Sequence, residues 1–285
     1  MTIIITYTIF FLGIVMLVAA AGAALGYLWG PNNDRLLRLA ARATFAGAVC
    51  LFITSWLRLL AWHVVPVMSG ADSLNLFVML VAITAFAVCA KPRRQALLSF
   101  YLPPLALIAL LCAMLAVQEF RQPPAEKEFS RLFLVIHVSM AFLAYALFFV
   151  ASMTSAAYAF QARRLKNRQT TGLFQKLPSL ENLDHTLFRL IKIGYPLFAI
   201  TLVLGLLYAW KTPDPLSSTW WLSPKILLSL VMVLLYGGSY HARALGLLRG
   251  PKLAYLVFGG FTVLLVTYLV MVVLQVTNYN FYGTA

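Results

Sequence analysis

Long apolar runs alternate with short polar gaps along the chain. A membrane-spanning helix needs about 20 mostly apolar residues, and eight runs reach that range. The gaps between them contain Gly, Pro and Asn, which favour turns. The predicted spans are 3–29, 40–63, 74–90, 96–117, 132–160, 193–210, 224–245 and 254–277. The pattern predicts an all-α fold, a polytopic bundle of about eight transmembrane helices that forms a single membrane domain over 1–285.

One gap is much longer than the others and has a pattern of its own. In residues 161–192, leucines recur at roughly helical spacing between Lys and Arg residues. An apolar stripe with basic flanks is typical of helices that lie in the membrane interface. We therefore expect 161–192 to be an amphipathic segment on the membrane surface.

The positive charges are distributed unevenly between the two sides of the predicted bundle. Most of the 22 Lys and Arg residues fall in the gaps after the first, third, fifth and seventh spans. Basic loops stay on the cytoplasmic side of a membrane. The distribution predicts that both termini lie outside, in the periplasm, and that the protein lies in a bacterial inner membrane.

Composition agrees with a membrane protein and excludes nucleic acid as the partner. The chain is 62% hydrophobic and 11% charged, with a mean hydropathy of +0.87, whereas soluble domains contain about 25% charged residues. The net charge of +14 would suit nucleic acid, but the charges sit between apolar runs as they do in membrane loops. The partner that composition indicates is membrane lipid.

Several catalytic and transport classes find no support in the sequence. The three cysteines lie inside apolar runs and none forms a C-x-x-C pair, which argues against dithiol chemistry and covalent haem attachment. No nucleotide-binding, zinc-protease or serine-hydrolase motif is present. All eight acids are assigned to the gaps, which disfavours an ion-coupled transporter, the third interpretation considered. Whether the chain is an enzyme stays open; we expect no catalytic activity from it alone.

His137 is the first candidate for chemistry. It lies near the outer end of the fifth span, and its helical face continues through Ala141, Ala144, Tyr145 and Phe148. Small residues leave space and aromatic rings offer stacking surface, so this face could seat a flat macrocycle. Packing against a neighbouring helix explains the same pattern equally well, and position alone does not separate the two.

The other candidates lie near the membrane faces. His63 closes the second span on the outer side, where an interfacial histidine needs no special role. His241 lies near the inner end of the seventh span, and His185 lies in the amphipathic segment, where a surface role is favoured. Trp220 and Trp221 belong to an outer loop, and tryptophan is common at interfaces.

Several stretches together resemble the cytochrome c assembly family, the CcsA- and ResC-like proteins. The stretch 134–140 with its histidine resembles a helix of that family. The stretches 177–184 and 189–197 are similar to the segment before its next helix. Ser223-Pro224-Lys225 and the preceding tryptophans occupy the place of its tryptophan-rich signature. The signature acids are replaced by Ser223 and Ile226, and no histidine follows His241. The chain thus resembles a divergent HemX-like or YpjD-like member.

The resemblance implies a haem-handling role at the outer membrane face in cytochrome c biogenesis. It implies haem b as cofactor, with His137 and His241 as iron ligands. Trp220, Trp221, Tyr145 and His63 would complete the cofactor-binding set, and the partners would be an assembly subunit and apocytochrome c. The alternative is a HemX-like accessory protein of haem biosynthesis that acts on the level of glutamyl-tRNA reductase without bound haem.

Overall fold

The computed structural model describes residues 2–30, 33–62, 70–119, 132–168, 173–211 and 224–273. Over these ranges the chain is helical, with one 3-10 turn and no strand. The helices are α1 (Thr2–Trp29), α2 (Asp34–Trp62), α3 (Gly70–Val88), α4 (Leu98–Glu119), α5 (Leu132–Lys166), α6 (Leu173–Lys176), α7 (Leu180–Lys211), α8 (Pro224–Ala244) and α9 (Pro251–Val273), and the 3-10 turn is Pro92–Leu97. The predicted all-α class is confirmed.

Seven stretches of the described residues are long and apolar enough to cross a membrane. They are Ile3–Trp29, Asp34–Ala61, Gly70–Val88, Pro92–Val117, Val135–Lys166, Leu180–Leu207 and Ile226–Ala244. The eighth predicted span corresponds to α9, which is not one of the seven. A multi-pass membrane protein is therefore established, whereas the eighth crossing and the direction of the termini stay predictions.

Large apolar side chains cover the outside of the helices. Val15, Leu107, Met114 and Leu234 each expose more than 60% of their surface. A soluble protein would bury most such side chains. In a bilayer they face hydrocarbon, which explains how the chain tolerates them.

The helices form two groups that meet at α3 and α5. In the first group α1 packs on α2 and α4, and α3 packs on α2 and α4; in the second, α5 packs on α7 and α9, and α8 lies between α7 and α9. Contacts of α5 with α3 and α4 join the groups. Small residues allow the closest crossings: a Cβ added at Gly13 of α1 would lie 3.0 Å from Cys50 Cβ of α2.

The predicted surface segment 161–192 is divided among three helices. Residues 161–166 continue α5, 173–176 form the short α6, and 180–192 are the first part of α7. The leucines that suggested an apolar stripe, among them Leu183, Leu187 and Leu190, are buried in the main core. The helical periodicity of this stretch thus extends α7 at its amino end.

One end of the bundle, here called the basic end, gathers the turns that contain most of the positive charge. It comprises residues 33–38, 89–97, 163–168, 173–182 and 243–252. Lys176 ties it together, because its Nζ donates to the carbonyl oxygens of Tyr27 at 2.8 Å and Gly30 at 2.8 Å. A cation at the carboxyl end of α1 also complements the helix dipole.

Candidate functional site

His137 lies on the seam between α5 and α7. A Cβ added at Gly205 of α7 would lie 2.7 Å from His137 Cε1, so the imidazole is pressed against the backbone of α7. The Thr201 carbonyl oxygen lies near the ring, where it can accept a hydrogen bond from the imidazole. Nδ1 is buried and has no hydrogen-bond partner among the described residues.

The rest of the predicted His137 face is also covered by α7. The Tyr145 and Phe198 rings lie 5.1 Å apart. Phe148 approaches Gly194, where an added Cβ would lie 2.8 Å from Phe148 Cε1. Gly194 and Gly205 of α7 thus permit close packing of two antiparallel helices along this face.

His241 lies in a different setting, at the basic end of α8. Its ring is exposed and meets Tyr195 and Tyr240 edge to face, at centroid distances of 5.9 Å and 5.1 Å. Arg243, two residues after His241 in α8, forms an ion pair with Asp184 of α7. The aromatic contacts and this ion pair fix α8 against α7. The rest of the His241 side chain is exposed.

The two histidines are far apart along the bundle. His137 contacts α7 at Gly205 and His241 contacts it at Tyr195. Ten residues of helix correspond to about 15 Å along the axis. The structure therefore does not bring the two predicted ligands together.

Three of the predicted cofactor-binding residues cannot be placed. His63, Trp220 and Trp221 lie outside the described residues. In the part of the chain that is described, no group of three His, Cys, Asp or Glu side chains is arranged to hold a metal ion.

Sequence reasoning missed a buried ion pair. Arg58 of α2 donates from Nε to Asp72 Oδ1 at 2.7 Å and from Nη2 to Oδ2 at 2.9 Å, and both side chains are only 3% exposed. The assignment of all acids to loops is therefore wrong for Asp72, which lies in the first turn of α3. It is also wrong for other acids at or near helix ends, namely Asp34 of α2, Glu119 of α4, and Glu181 and Asp184 of α7. The sequence contains a signal for this pair, because Arg58 lies inside an apolar span and a charged side chain there requires a partner.

The ion pair belongs to a larger polar group between α2 and α3. Asn75 Nδ2 donates to Ser55 Oγ at 2.9 Å, one turn from the Arg58–Asp72 pair. Cys112 of α4 lies with its Sγ 3.6 Å from the Ala71 carbonyl oxygen. Since buried polar groups must be satisfied inside the membrane, this cluster fixes α3 against α2 and α4.

The neighbourhood of His137 does not fit a haem as the helices stand. Its buried, unpartnered nitrogen is a feature that a ligand could satisfy. A macrocycle beside the ring would, however, have to displace α7 at Gly205 and Thr201. The described residues thus provide a polar contact for a haem but no space for one on this seam.

HemX and the cytochrome c biogenesis protein CcsA are among the proteins with similar sequences. HemX of Bacillus subtilis (strain 168) is 31% identical over 138 residues, 48% of this chain and 49% of that protein. HemX of Brevibacillus brevis is 31% identical over 103 residues, 36% of this chain and 37% of that protein. The cytochrome c biogenesis protein CcsA of Synechococcus sp. (strain RCC307) is 27% identical over 189 residues, 58% and 60% of the two chains.

These matches are partial, and the family match is broad. The chain spans about half or less of the length of the HemX proteins it matches. No solved structure matches it. Residues 45–277 match the family described as cytochrome C assembly protein. This match covers most of the chain and agrees with the multi-pass helical fold, and the chain therefore belongs to the cytochrome c assembly protein family.

Proposed function

We propose that this chain is a HemX-like accessory protein of haem biosynthesis, which acts on the level of glutamyl-tRNA reductase from the cytoplasmic side of a bacterial inner membrane. The observation that carries the proposal is the close packing of α5 on α7 at His137, where a Cβ added at Gly205 would lie 2.7 Å from His137 Cε1. The similarity to HemX of Bacillus subtilis, 31% identity over 138 residues, supports the same choice.

The residues for this role lie on the predicted cytoplasmic stretch 163–192, which comprises the end of α5 at the basic end and the part of α7 up to Lys192. Lys166, Arg189 and Lys192 are exposed there. Among the described residues none of the three has an ion-pair partner. Arg189 and Lys192 lie in the first half of the apolar stretch Leu180–Leu207, so the role requires that this part of α7 reaches the cytoplasmic interface. Complementary charge speeds and orients association between proteins, and the reductase would approach from the cytoplasm if the termini lie outside.

A paired set of variants tests the proposal. We would express the chain with glutamyl-tRNA reductase and measure the reductase level by immunoblot. The expected result is that the natural chain changes this level. The triple variant Lys166→Gln, Arg189→Gln, Lys192→Gln should lose the effect, whereas His137→Ala should keep it. The opposite pattern, loss with His137→Ala alone, would overturn the proposal.

Haem handling in cytochrome c biogenesis is the second candidate, favoured by the buried, unpartnered Nδ1 of His137. Haem b, an assembly partner subunit and apocytochrome c belong to this candidate, with His241, Tyr145, His63, Trp220 and Trp221 as the remaining predicted contacts. Absorption spectra of the purified protein after haem loading test it: a Soret band lost in His137→Ala favours this candidate, and its absence removes it.

A further inference from the structure

A pocket of about 570 Å³ opens at the basic end, where four segments of the chain meet. They are the last turns of α1, the first turn of α2, the 3-10 turn and residues 175–182. Tyr27, Leu37, Ala96 and Leu177 line it and form an apolar cluster separate from the main core. The pocket therefore has a built floor and is more than a gap between loops.

The pocket is rimmed by cations whose charges are not neutralised. Arg38 and Arg93 line it, and both are exposed. Neither has an ion-pair partner in the part of the chain described here. Lys176 also lines it but is held by the α1 carbonyls, and Asp34 is the acid of the lining. Positive charge exceeds negative charge, and the two arginines are free to contact a ligand.

A second pocket of about 450 Å³ adjoins the first and extends the positive surface. It is lined by Lys91, Pro92, Arg93, Arg94 and Asn182, of which Pro92, Arg93 and Asn182 are shared with the first. Among the described residues, no acid lines this second pocket. Arg93 therefore lines both pockets, and each of them is larger than a single inorganic anion.

Helix dipoles add to the charge. α2 begins at Asp34 and α7 begins at Leu180, and residues of both first turns line the pocket. The amino end of a helix carries a partial positive charge. Part of the N–H groups is already bonded, since Arg35 N–H donates to Asn33 Oδ1 and Asn182 N–H donates to Ser179 Oγ. Two such ends, together with two unpaired arginines above an apolar floor, favour one class of ligand.

We infer that this pocket binds a phosphate-bearing anion, with Arg38 and Arg93 as its contacts. The planar guanidinium group recognises phosphate with two parallel hydrogen bonds, and the apolar floor accommodates the remainder of an organic phosphate. The source is either an anionic lipid headgroup, since basic pockets between membrane helices bind these, or a soluble organic phosphate. The inference does not depend on the proposed function.

The test uses the full-length protein and two probes. In the first arm the protein is reconstituted in nanodiscs of phosphatidylglycerol and phosphatidylcholine, and lipid retained after detergent extraction is identified by native mass spectrometry. In the second arm inorganic pyrophosphate is titrated onto protein in phosphatidylcholine nanodiscs, and the shift of the thermal midpoint is recorded. Arg38→Gln with Arg93→Gln removes the contacts. Arg249→Gln with Lys252→Gln is the matched control, because it removes the same charge from the basic end outside the pocket.

We expect one probe to bind the natural chain and the control alike, and to bind Arg38→Gln, Arg93→Gln at least about tenfold more weakly. Retention of phosphatidylglycerol identifies a lipid site, and a midpoint shift with pyrophosphate identifies a soluble phosphate site. Arg38→Lys with Arg93→Lys keeps the charge and guards against misfolding; it should weaken binding less. Binding of neither probe, or equal loss in the control, would overturn the inference.

Discussion

At the scale of single residues, the Arg58–Asp72 pair shows how a charge is accommodated between membrane helices. Two parallel hydrogen bonds join the side chains, and both are almost fully buried. Breaking a buried pair by removing one partner is costly because it leaves an uncompensated charge. Replacing both partners by apolar residues of similar size costs much less.

Asp72→Leu is therefore expected to lower the free energy of unfolding by about 3 kcal/mol, measured by denaturant titration in mixed micelles. Asp72→Leu combined with Arg58→Met should recover most of that loss. Glu181→Gln is the control, because its contact with His185 is 3.8 Å long and exposed and contributes less than about 1 kcal/mol. A double variant no more stable than Asp72→Leu would contradict the role given to the pair.

Lys176 gives a second test at the residue scale. Its ammonium group donates to carbonyl oxygens at the carboxyl end of α1 and so holds residues 173–179 against that helix. Lys176→Met should free this segment, and amide hydrogen exchange over 173–182 should rise about tenfold, the equivalent of one charge-assisted hydrogen bond. Gln175→Met, at an exposed neighbour, should leave exchange unchanged. Equal exchange in both variants would show that Lys176 does not fix the segment.

At the scale of elements, the α5–α7 seam decides between packing and ligand binding for His137. Gly205→Ala would place a methyl group 2.7 Å from His137 Cε1. Overpacking of this kind costs about 1–3 kcal/mol, so the thermal midpoint in detergent should fall. At Gly238 an added Cβ meets nothing within 4 Å, and Gly238→Ala should be neutral or stabilising because alanine favours helix. An unchanged midpoint for Gly205→Ala would mean that the seam is open in the membrane.

The positions of the helices could be predicted from the sequence more fully than their contacts. Apolar runs of about 20 residues predict seven of the spans, because the thickness of the bilayer core sets the length of a spanning helix. The sequence predicts that the sixth span begins at 193, because the charges around Arg189 interrupt the apolar run. The helix itself begins at Leu180, and the helical periodicity of the leucines continues back to that point. The polar stretch 69–73 predicts a loop at Asp72. The local pattern does not reveal its partner Arg58, because that residue lies 14 positions earlier in the chain. Which helix covers His137 depends on tertiary packing, which a local pattern does not contain.

At the scale of the whole molecule, the uneven distribution of charge predicts the orientation. Leu247 lies at the basic end and Trp210 near the opposite end of α7, and both are more than 70% exposed. In a background without the natural cysteines, Leu247→Cys should react with an impermeant maleimide only after the cells are permeabilised. Trp210→Cys should react in intact cells. The reverse pattern would place the basic end outside and would remove the cytoplasmic surface on which the proposed function depends.

The basic residues of the chain belong to two distinct features that separate experiments address. Lys166, Arg189 and Lys192 form the surface proposed for a protein partner, and Arg38 and Arg93 rim the pocket inferred for a phosphate-bearing anion. The two sets share no residue. Loss of one activity in its own variant, with the other retained, would show that the two features act independently.

The most direct test of the central claim is the steady-state level of glutamyl-tRNA reductase in cells that express this chain. The account predicts that the natural chain and His137→Ala change the level equally. It also predicts that the Lys166→Gln, Arg189→Gln, Lys192→Gln variant, present at the same amount in the membrane, has no effect. A reductase level that is the same with and without the chain would contradict the account.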